Sequence, residues 1–158
     1  MSKFCAHDCP LWGSIRVFDF CYSATARARR LDNRLPVALL SNSLKVGHLV
    51  TQCEKLVGAP FNLLQGYRSA ELNRAIGGGV KSYHMQGLAV DGLFVGVGML
   101  EAGRILAASD LPIVEIELKQ TMLHIAYGPR EARKLFRQYV SRGPVVPVEF
   151  FPVDGVRG

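Results

Sequence analysis

Between residues 35 and 57, apolar side chains recur at steps of three and four residues, which is the spacing of one face of an α-helix. Pro36 favours a helix that begins directly after it, and Gly58 and Pro60 predict where it ends. The apolar positions are Leu39, Leu40, Val46, Leu49, Val50, Cys53, Leu56 and Val57. The pattern predicts an amphipathic helix packed on the core, with His48 on the helix surface.

Shorter apolar runs predict strands in the rest of the chain. The expected strands cover residues 61–64, 88–95, 113–118 and 122–127, and the last two are close enough to form a hairpin. Two short helices are expected over residues 69–76, capped by Ser69 and closed by three glycines, and over residues 99–108. Pro129 predicts another helix to about Val140.

Helices that are segregated from short, antiparallel strands are typical of the α+β class. We therefore expect one small domain over residues 1–158, in which helices pack around a central antiparallel sheet. Its core is expected over about residues 22–142. Three prolines after Gly143 predict an extended tail over residues 143–158.

Composition supports a folded domain and leaves the partner open. Hydrophobic residues make up 49% of the chain and charged residues 20%, which excludes global disorder. The formal net charge of +6 favours either an anionic partner or simply a basic, solvated surface. The basic residues cluster only at Arg27, Arg29, Arg30 and Arg34. Because no nucleic-acid motif accompanies them, we expect no nucleic-acid partner.

The N-terminal residues lack the apolar run of a signal peptide, and no apolar stretch is long enough to span a membrane. We therefore expect a protein that is made in the cytoplasm and has no membrane span. The four cysteines are expected to be reduced thiols. Cys5 and Cys9 flank His7 and Asp8, which raises a second metal site as a hypothesis, although a single cysteine pair does not specify one.

The clearest candidate chemistry lies at His84 and Asp91, seven residues apart around Gly87. Gly87 permits a turn that brings the histidine back over the strand that carries the aspartate, and Ala89 leaves room beside a metal ion. His124 stands in an apolar strand, where a buried imidazole needs a partner. Two imidazoles and one carboxylate are the ligand set of a catalytic zinc site with an open position. The spacing alone is equally compatible with two core histidines and a hydrogen-bonded aspartate.

The residues around these positions resemble a known family. The matching strings are Ser23-Ala24-Thr25-Ala26, Leu31-Asp32-Asn33, Gly66-Tyr67-Arg68-Ser69, Glu71-Leu72-Asn73, Ile76-Gly77-Gly78, Ser82-x-His84-x-x-Gly87-x-Ala89-x-Asp91, and His124 followed by Gly128-Pro129-Arg130. They span roughly Tyr22 to Arg137 and resemble the M15-type D-alanyl-D-alanine carboxypeptidase and phage endolysin family. The string from Ser82 to Asp91 is the most specific of them.

The resemblance implies that His84, Asp91 and His124 bind one zinc ion per chain. It also implies a small α+β fold with the zinc site on a central antiparallel sheet, and cleavage of peptidoglycan stem peptides. We accordingly expect a monomeric phage-type endolysin or wall-remodelling peptidase that acts on the cell wall after release or delivery. The sequence leaves open which bond the protein cuts and whether it acts as an endopeptidase or a carboxypeptidase.

The family keeps a glutamate shortly before its last histidine, and two residues are eligible for this catalytic base. A turn at Lys119 and Gln120 would place Glu115 opposite His124 and Glu117 opposite Met122, with both carboxylates on one face of the sheet. We predict Glu117 as the base because it is nearer in sequence to the family's position, with Glu115 as the alternative.

Two polar residues are candidates for contacts with the substrate. Arg68 is predicted to bind a substrate carboxylate, since a guanidinium offers two parallel donors, and its alternative role is to brace the turn after Gly66. Ser82 is a candidate for orienting His84 or a substrate carbonyl, although a hydroxyl that stabilises the turn is the favoured interpretation.

Two positions depart from the family pattern. Met122 stands where tryptophan or histidine is common, so a side-chain donor to an oxyanion is absent there. Gln65 replaces a serine before the Gly66 string. These departures keep a second hypothesis open, in which the domain is a catalytically silent zinc-binding recognition or virion structural module of the same fold.

Overall fold

The computed structural model describes residues 1–129, 136–138 and 146–147. The helices are α1 (Val17–Cys21), α2 (Ala24–Arg29), α3 (Leu40–Val57), α4 (Ala70–Ala75) and α5 (Met99–Ala107). The strands are β1 (Pro10–Trp12), β2 (Ile15–Arg16), β3 (Phe61–Gln65), β4 (Ala89–Phe94), β5 (Ile113–Leu118), β6 (Leu123–Tyr127), β7 (Phe136–Gln138) and β8 (Val146–Pro147). Short 3-10 helices cover Val37–Leu39 and Tyr83–Gln86. The α+β class is confirmed.

The main sheet has the strand order β3-β4-β6-β5-β7-β8. Its first four strands pair antiparallel throughout, as expected for the central sheet. β7 joins the edge of β5 in parallel, and β8 pairs antiparallel with β7. A separate hairpin of β1 and β2 precedes the helices.

Side-chain alternation gives the central sheet two different faces. On one face, apolar residues of β4, β5 and β6 form the core with helices α3 and α5. The opposite face carries Asp91, His124, Glu115 and Glu117, since these positions alternate with the core residues along their strands. The sheet therefore separates a hydrophobic layer from a polar, chemistry-bearing layer.

Helix α3 begins and ends close to the predicted limits. The 3-10 turn follows Pro36, and Gly58 ends the helix in a left-handed conformation with φ of 76°, which glycine adopts without steric cost. Gly47 faces the ring of Trp12 so closely that a Cβ at residue 47 would collide with it. His48 is exposed on the helix surface, as predicted. Among the described residues, no helix is long and apolar enough to cross a membrane.

The hairpin register differs from the prediction by two residues. Lys119 N donates to Met122 O, which places the turn at Gln120 and Thr121 rather than at Lys119 and Gln120. Glu117, and not Glu115, is therefore the cross-strand partner of His124. The physical reason lies on the core face, where this register pairs Leu118 with Leu123, whereas the predicted one would have set Leu118 against the polar Thr121.

The helix predicted from Pro129 to about Val140 is wrong at Phe136–Gln138, which form strand β7. The free edge of β5 offers unpaired backbone donors and acceptors, and a strand that pairs there satisfies them. The remaining residues of that prediction beyond Pro129 lie outside the described residues. The same holds for the extended tail, except for the short strand Val146–Pro147.

Candidate metal centre and cleft

Three polar side chains that the sequence singled out are buried together on the polar face of the sheet. His84 is 0% exposed, Asp91 1% and His124 5%. Asp91 and His124 are direct cross-strand partners on β4 and β6, and His84 comes from the 3-10 turn that precedes β4. Gly87 ends that turn with φ of 67°, the left-handed conformation expected of it.

The donor atoms of these residues converge on one point. His84 Nε2 lies 3.2 Å from His124 Nδ1 and 3.3 Å from Asp91 Oδ2. His124 Nδ1 lies 2.7 Å from Asp91 Oδ1. Within the described part of the chain, this is the single cluster of three or more potential metal ligands.

A main-chain oxygen orients the imidazole of His84. His84 Nδ1 donates a hydrogen bond of 2.6 Å to Gly66 O, so the lone pair of Nε2 faces the two other side chains. The residue after Gly66 in this loop is itself held, because Tyr67 N donates to Phe20 O. A ligating histidine whose second nitrogen is fixed in this way is typical of metal sites.

The site's electrostatics suit a cation. Burial alone would raise the pKa of Asp91, but the interactions with the imidazoles of His124 and His84 outweigh it and hold that pKa well below its usual range. Burial lowers the pKa of His84 to about 4, against the opposing effect of Asp91, so this imidazole is neutral at pH 7. Burial also disfavours the charged form of His124, yet contacts with Asp91 and Glu115 raise its pKa.

The separation of the donors fits a tetrahedral ion. Ligands about 2.0–2.1 Å from zinc lie about 3.3 Å from one another in a tetrahedron. Two of the three separations, at 3.2 and 3.3 Å, already have this value. The third side of the triangle is a hydrogen bond between His124 and Asp91, which a small rotation of either side chain lengthens. The donor set therefore fits a metal ion.

Comparison with known families agrees with this geometry. The family model described as Peptidase M15 matches residues 23–126, about two thirds of the chain. The chain belongs to the peptidase M15 family. The predicted family resemblance is thereby confirmed, and the match includes all three candidate ligands. No curated protein matches the chain.

In this M15 chain the two candidate bases have different surroundings. Glu115 Oε2 lies 3.6 Å from His124 Nε2, the ring nitrogen that does not face Asp91. Glu117 is the cross-strand partner of His124, and among the described residues no hydrogen bond or ion pair holds its carboxylate. Both glutamates are partly buried and line the cleft outside the three-donor cluster.

That cleft has a volume of about 630 Å³ and lies in front of His84 and His124. Its walls include the glycine loop of residues 76–79 and the β5–β6 turn. Three cationic side chains, Arg68, Lys81 and Lys119, line it together with the two glutamates. The M15 cleft is therefore polar and carries both signs of charge.

Arg68 and Ser82 both lie at the cleft. Arg68 is 7% exposed, and its Nε has no hydrogen-bond partner among the described residues, so that donor does not brace the turn. Burial lowers the pKa of the guanidinium, and the charge of Asp91 opposes this effect. Ser82 precedes the 3-10 turn, but its hydroxyl makes no hydrogen bond within the described residues, neither to His84 nor to the turn.

Sequence reasoning missed two residues that shape the site, Asn33 and Lys119. Asn33 binds three backbone groups, since its Nδ2 donates to Cys21 O and Tyr67 O and its Oδ1 accepts from Ser69 N at 2.6 Å. It thereby fixes the loop that carries Gly66 and Arg68. Its place in the family-like string Leu31-Asp32-Asn33 was the available signal. Lys119 Nζ lies 2.9 and 3.1 Å from the two oxygens of Asp91, and the wrong turn register concealed this lysine.

The hypothesis of a second metal site at Cys5 and Cys9 finds no support among the described residues. Both thiols are partly buried and free, and they join no cluster of three potential ligands there. Burial raises the pKa of Cys5, and the nearby Cys9 raises it further. Higher thiol pKa values reduce the thiolate that a metal ion requires.

Proposed function

We propose that this M15 protein is a zinc-dependent peptidase that hydrolyses an amide bond in peptidoglycan stem peptides. The carrying observation is the convergence of His84 Nε2, His124 Nδ1 and the Asp91 carboxylate at the floor of an open cleft. All of these residues belong to one chain, which supports a site that a monomer completes.

His84, Asp91 and His124 would hold the ion, with one zinc per chain. Zinc in a site of this type supplies Lewis-acid polarisation of a carbonyl and activation of water near neutral pH. Three protein ligands would leave one zinc position for water or a peptide carbonyl, and His84 and His124 line a cleft through which a substrate can approach. The fit of the donor separations to a tetrahedral ion supports zinc as the metal.

We assign the general base to Glu117. Its carboxylate lines the cleft beside His124 and has no partner among the described residues, so it is available to accept a proton from water and return it to the leaving amine. Glu115 instead acts as a positioning residue, because its carboxylate contacts the ring nitrogen of His124 that does not face Asp91.

Arg68 is the proposed partner of a substrate carboxylate. Its guanidinium lines the cleft, and the buried Nε lacks a partner, so a carboxylate that accepts from it would relieve an unsatisfied donor. Stem peptides carry carboxylates, which makes them suitable ligands. Ser82 lines the same wall and remains a proposed contact for a substrate carbonyl.

The biological setting is also a proposal. Family membership supports a peptide substrate, and the wall substrate rests on the resemblance to wall-cleaving M15 enzymes. We propose a phage-type endolysin or a bacterial wall-remodelling enzyme, made in the cytoplasm and active on the wall after release or delivery. The net charge of +6 favours approach to anionic wall polymers.

Cell walls provide the decisive test. Zinc-loaded protein incubated with isolated walls should release free amino groups without new reducing sugars, since glycan cleavage uses two carboxylates and no metal. A chelator should stop the reaction and added zinc should restore it. The variant Glu117→Gln is the matched inactive control, because it leaves the three ligands in place.

One outcome would contradict the proposal, and one further measurement would refine it. Walls of several crosslink types that stay intact, with zinc bound and the domain folded, would favour a catalytically silent recognition or virion structural module. Mass spectrometry of defined muropeptides after digestion would identify the bond that is cut. It would thereby separate an endopeptidase from a carboxypeptidase.

A further inference from the structure

The side chain of Lys119 reaches into the centre that the three candidate ligands form. Its Nζ lies 3.1 Å from Asp91 Oδ1 and 2.9 Å from Asp91 Oδ2, so one ammonium contacts both carboxylate oxygens. Among the described residues no other lysine or arginine forms an ion pair with Asp91. The contact is not a surface pair, because the Asp91 side chain is 1% exposed.

The β5–β6 hairpin positions Lys119 for this contact. Lys119 directly follows β5, and its main-chain hydrogen bond to Met122 O closes the hairpin one residue before the turn. Strand alternation puts residue 119 on the same face as Glu117, toward the polar side of the sheet. The side chain is 26% exposed, so it enters the site from the solvent-facing cleft with its charged end innermost.

A metal ion bound by this site needs one of the same two carboxylate oxygens. Asp91 Oδ1 also faces His124, and Asp91 Oδ2 also faces His84. The ammonium therefore contacts the same two carboxylate oxygens that face the imidazoles. Two cations in contact with one buried carboxylate repel each other strongly at low dielectric. Metal binding and the contact of Lys119 therefore weaken each other at Asp91.

We propose that Lys119 is a built-in competitor for the metal site: its ammonium neutralises Asp91 until a metal ion displaces it into the cleft. This inference rests on the metal site of the proposed function but not on its substrate. Lys119 would stabilise the metal-free fold through its ion pair with Asp91. It would also weaken the apparent metal affinity, because that ion pair must break before the metal ion binds.

The test compares Lys119→Met with Lys81→Met in the full chain. Lys81 lines the same cleft, is exposed, and has no ion pair among the described residues, so it is a matched control for loss of one positive charge. Each metal-stripped protein is titrated with Zn²⁺ by calorimetry, and its melting temperature is measured with and without the ion.

Lys119→Met should bind Zn²⁺ roughly tenfold more tightly than the unmodified protein, whereas Lys81→Met should bind it with unchanged affinity. The metal-stripped Lys119→Met protein should melt about 2–4 °C lower, and zinc should raise its melting temperature by more than it raises that of the unmodified protein. If Lys119 had only a structural role, Lys119→Met would lower the melting temperatures of the metal-stripped and zinc-bound protein equally. The affinity for Zn²⁺ would then stay unchanged.

Equal zinc affinity and an equal zinc-induced thermal shift in the Lys119→Met and unmodified proteins would overturn the proposal. If Lys119→Met does not fold, Lys119→Gln and Lys119→Arg carry the same comparison, with the arginine variant expected to keep the weaker affinity and the glutamine variant to gain affinity. Failure of the metal site itself has a different signature, since zinc binding would then be insensitive to His84→Ala. Absence of wall cleavage would leave these binding results unaffected.

Discussion

The strands β4 and β5 both carry acidic residues on the polar face of the sheet, yet they hold them in different ways. Asp91, near the middle of the sheet on β4, is almost fully buried, and both of its oxygens are hydrogen-bonded. Glu115 and Glu117 on β5 are only partly buried and line an open cleft. The first arrangement suits a fixed ligand, and the second suits groups that move protons or respond to a substrate.

The difference shows how one sheet separates binding from chemistry. A metal ligand gains from rigidity, because its donor atom must stay within a few tenths of an ångström of its position. A general base gains from access to solvent and substrate. One strand, β6, separates β4 from β5, so the rigid and the accessible carboxylates lie close together on one face.

The largest effect is expected at the buried ligands. His84→Ala should lower the affinity for Zn²⁺ at least tenfold and abolish wall cleavage, because a three-ligand site has no spare donor. Metal analysis and calorimetry measure the first effect, and the wall assay measures the second. His48→Ala, which removes an exposed histidine from α3, should change neither. Full zinc binding by His84→Ala would exclude the proposed centre.

The two glutamates of β5 should give opposite signatures. Glu117→Gln should reduce turnover by about a hundredfold or more and keep zinc, since removal of a general base has roughly that cost. Glu115→Ala should weaken zinc binding by about tenfold, because His124 loses the carboxylate that orients it. Steady-state kinetics and zinc titration of the two variants together provide the comparison.

Reversed signatures would exchange the two roles, with Glu115 as the base. If both variants keep full turnover, neither carboxylate is the base and the proposed mechanism is wrong. Circular dichroism of each variant controls for a loss of structure.

A smaller effect, measured as stability, is expected beside the ligand Asp91. A Cβ at Gly92 would collide with Asn62 O and the Phe61 ring, so Gly92→Ala should lower the free energy of unfolding by about 1–3 kcal/mol. Gly79→Ala in the open loop meets nothing within 4 Å and should change it by less than about 0.5 kcal/mol. Denaturant unfolding measures the stability of both variants. Equal stabilities of the two variants would contradict the view that β4 is packed more tightly than the glycine loop.

The sequence predicted the elements whose signal is local. Helix α3 follows from its periodicity between Pro36 and Gly58, and helix α4 begins directly after Ser69, whose hydroxyl accepts from Leu72 N as a capping residue should. The convergence of His84, Asp91 and His124 was expected from the family resemblance, because their spacing alone was equally compatible with two core histidines and a hydrogen-bonded aspartate. For the two helices the decisive information lies within a few residues.

Non-local features were predicted less well. The hairpin register depended on which apolar residue of β5 faces Leu123, and an error of two residues paired His124 with Glu115 instead of Glu117 while keeping both glutamates on the correct face. Strand β7 forms because the edge of β5 accepts it, which the helical pattern after Pro129 does not reveal. The contact of Lys119 with Asp91 follows from that register and was hidden with it.

The hydrogen bond from His84 to Gly66 has a consequence for how the site tolerates mutation. Its acceptor is a main-chain oxygen, so as long as His84 is kept, no exchange of one side chain for another removes that acceptor. A substitution at residue 66 acts instead through its Cβ, which would collide with the ring of Phe20 and displace the loop as a whole. The orientation of this imidazole is therefore encoded by the path of the backbone, and genetic variation reaches it only by changing how the loop packs.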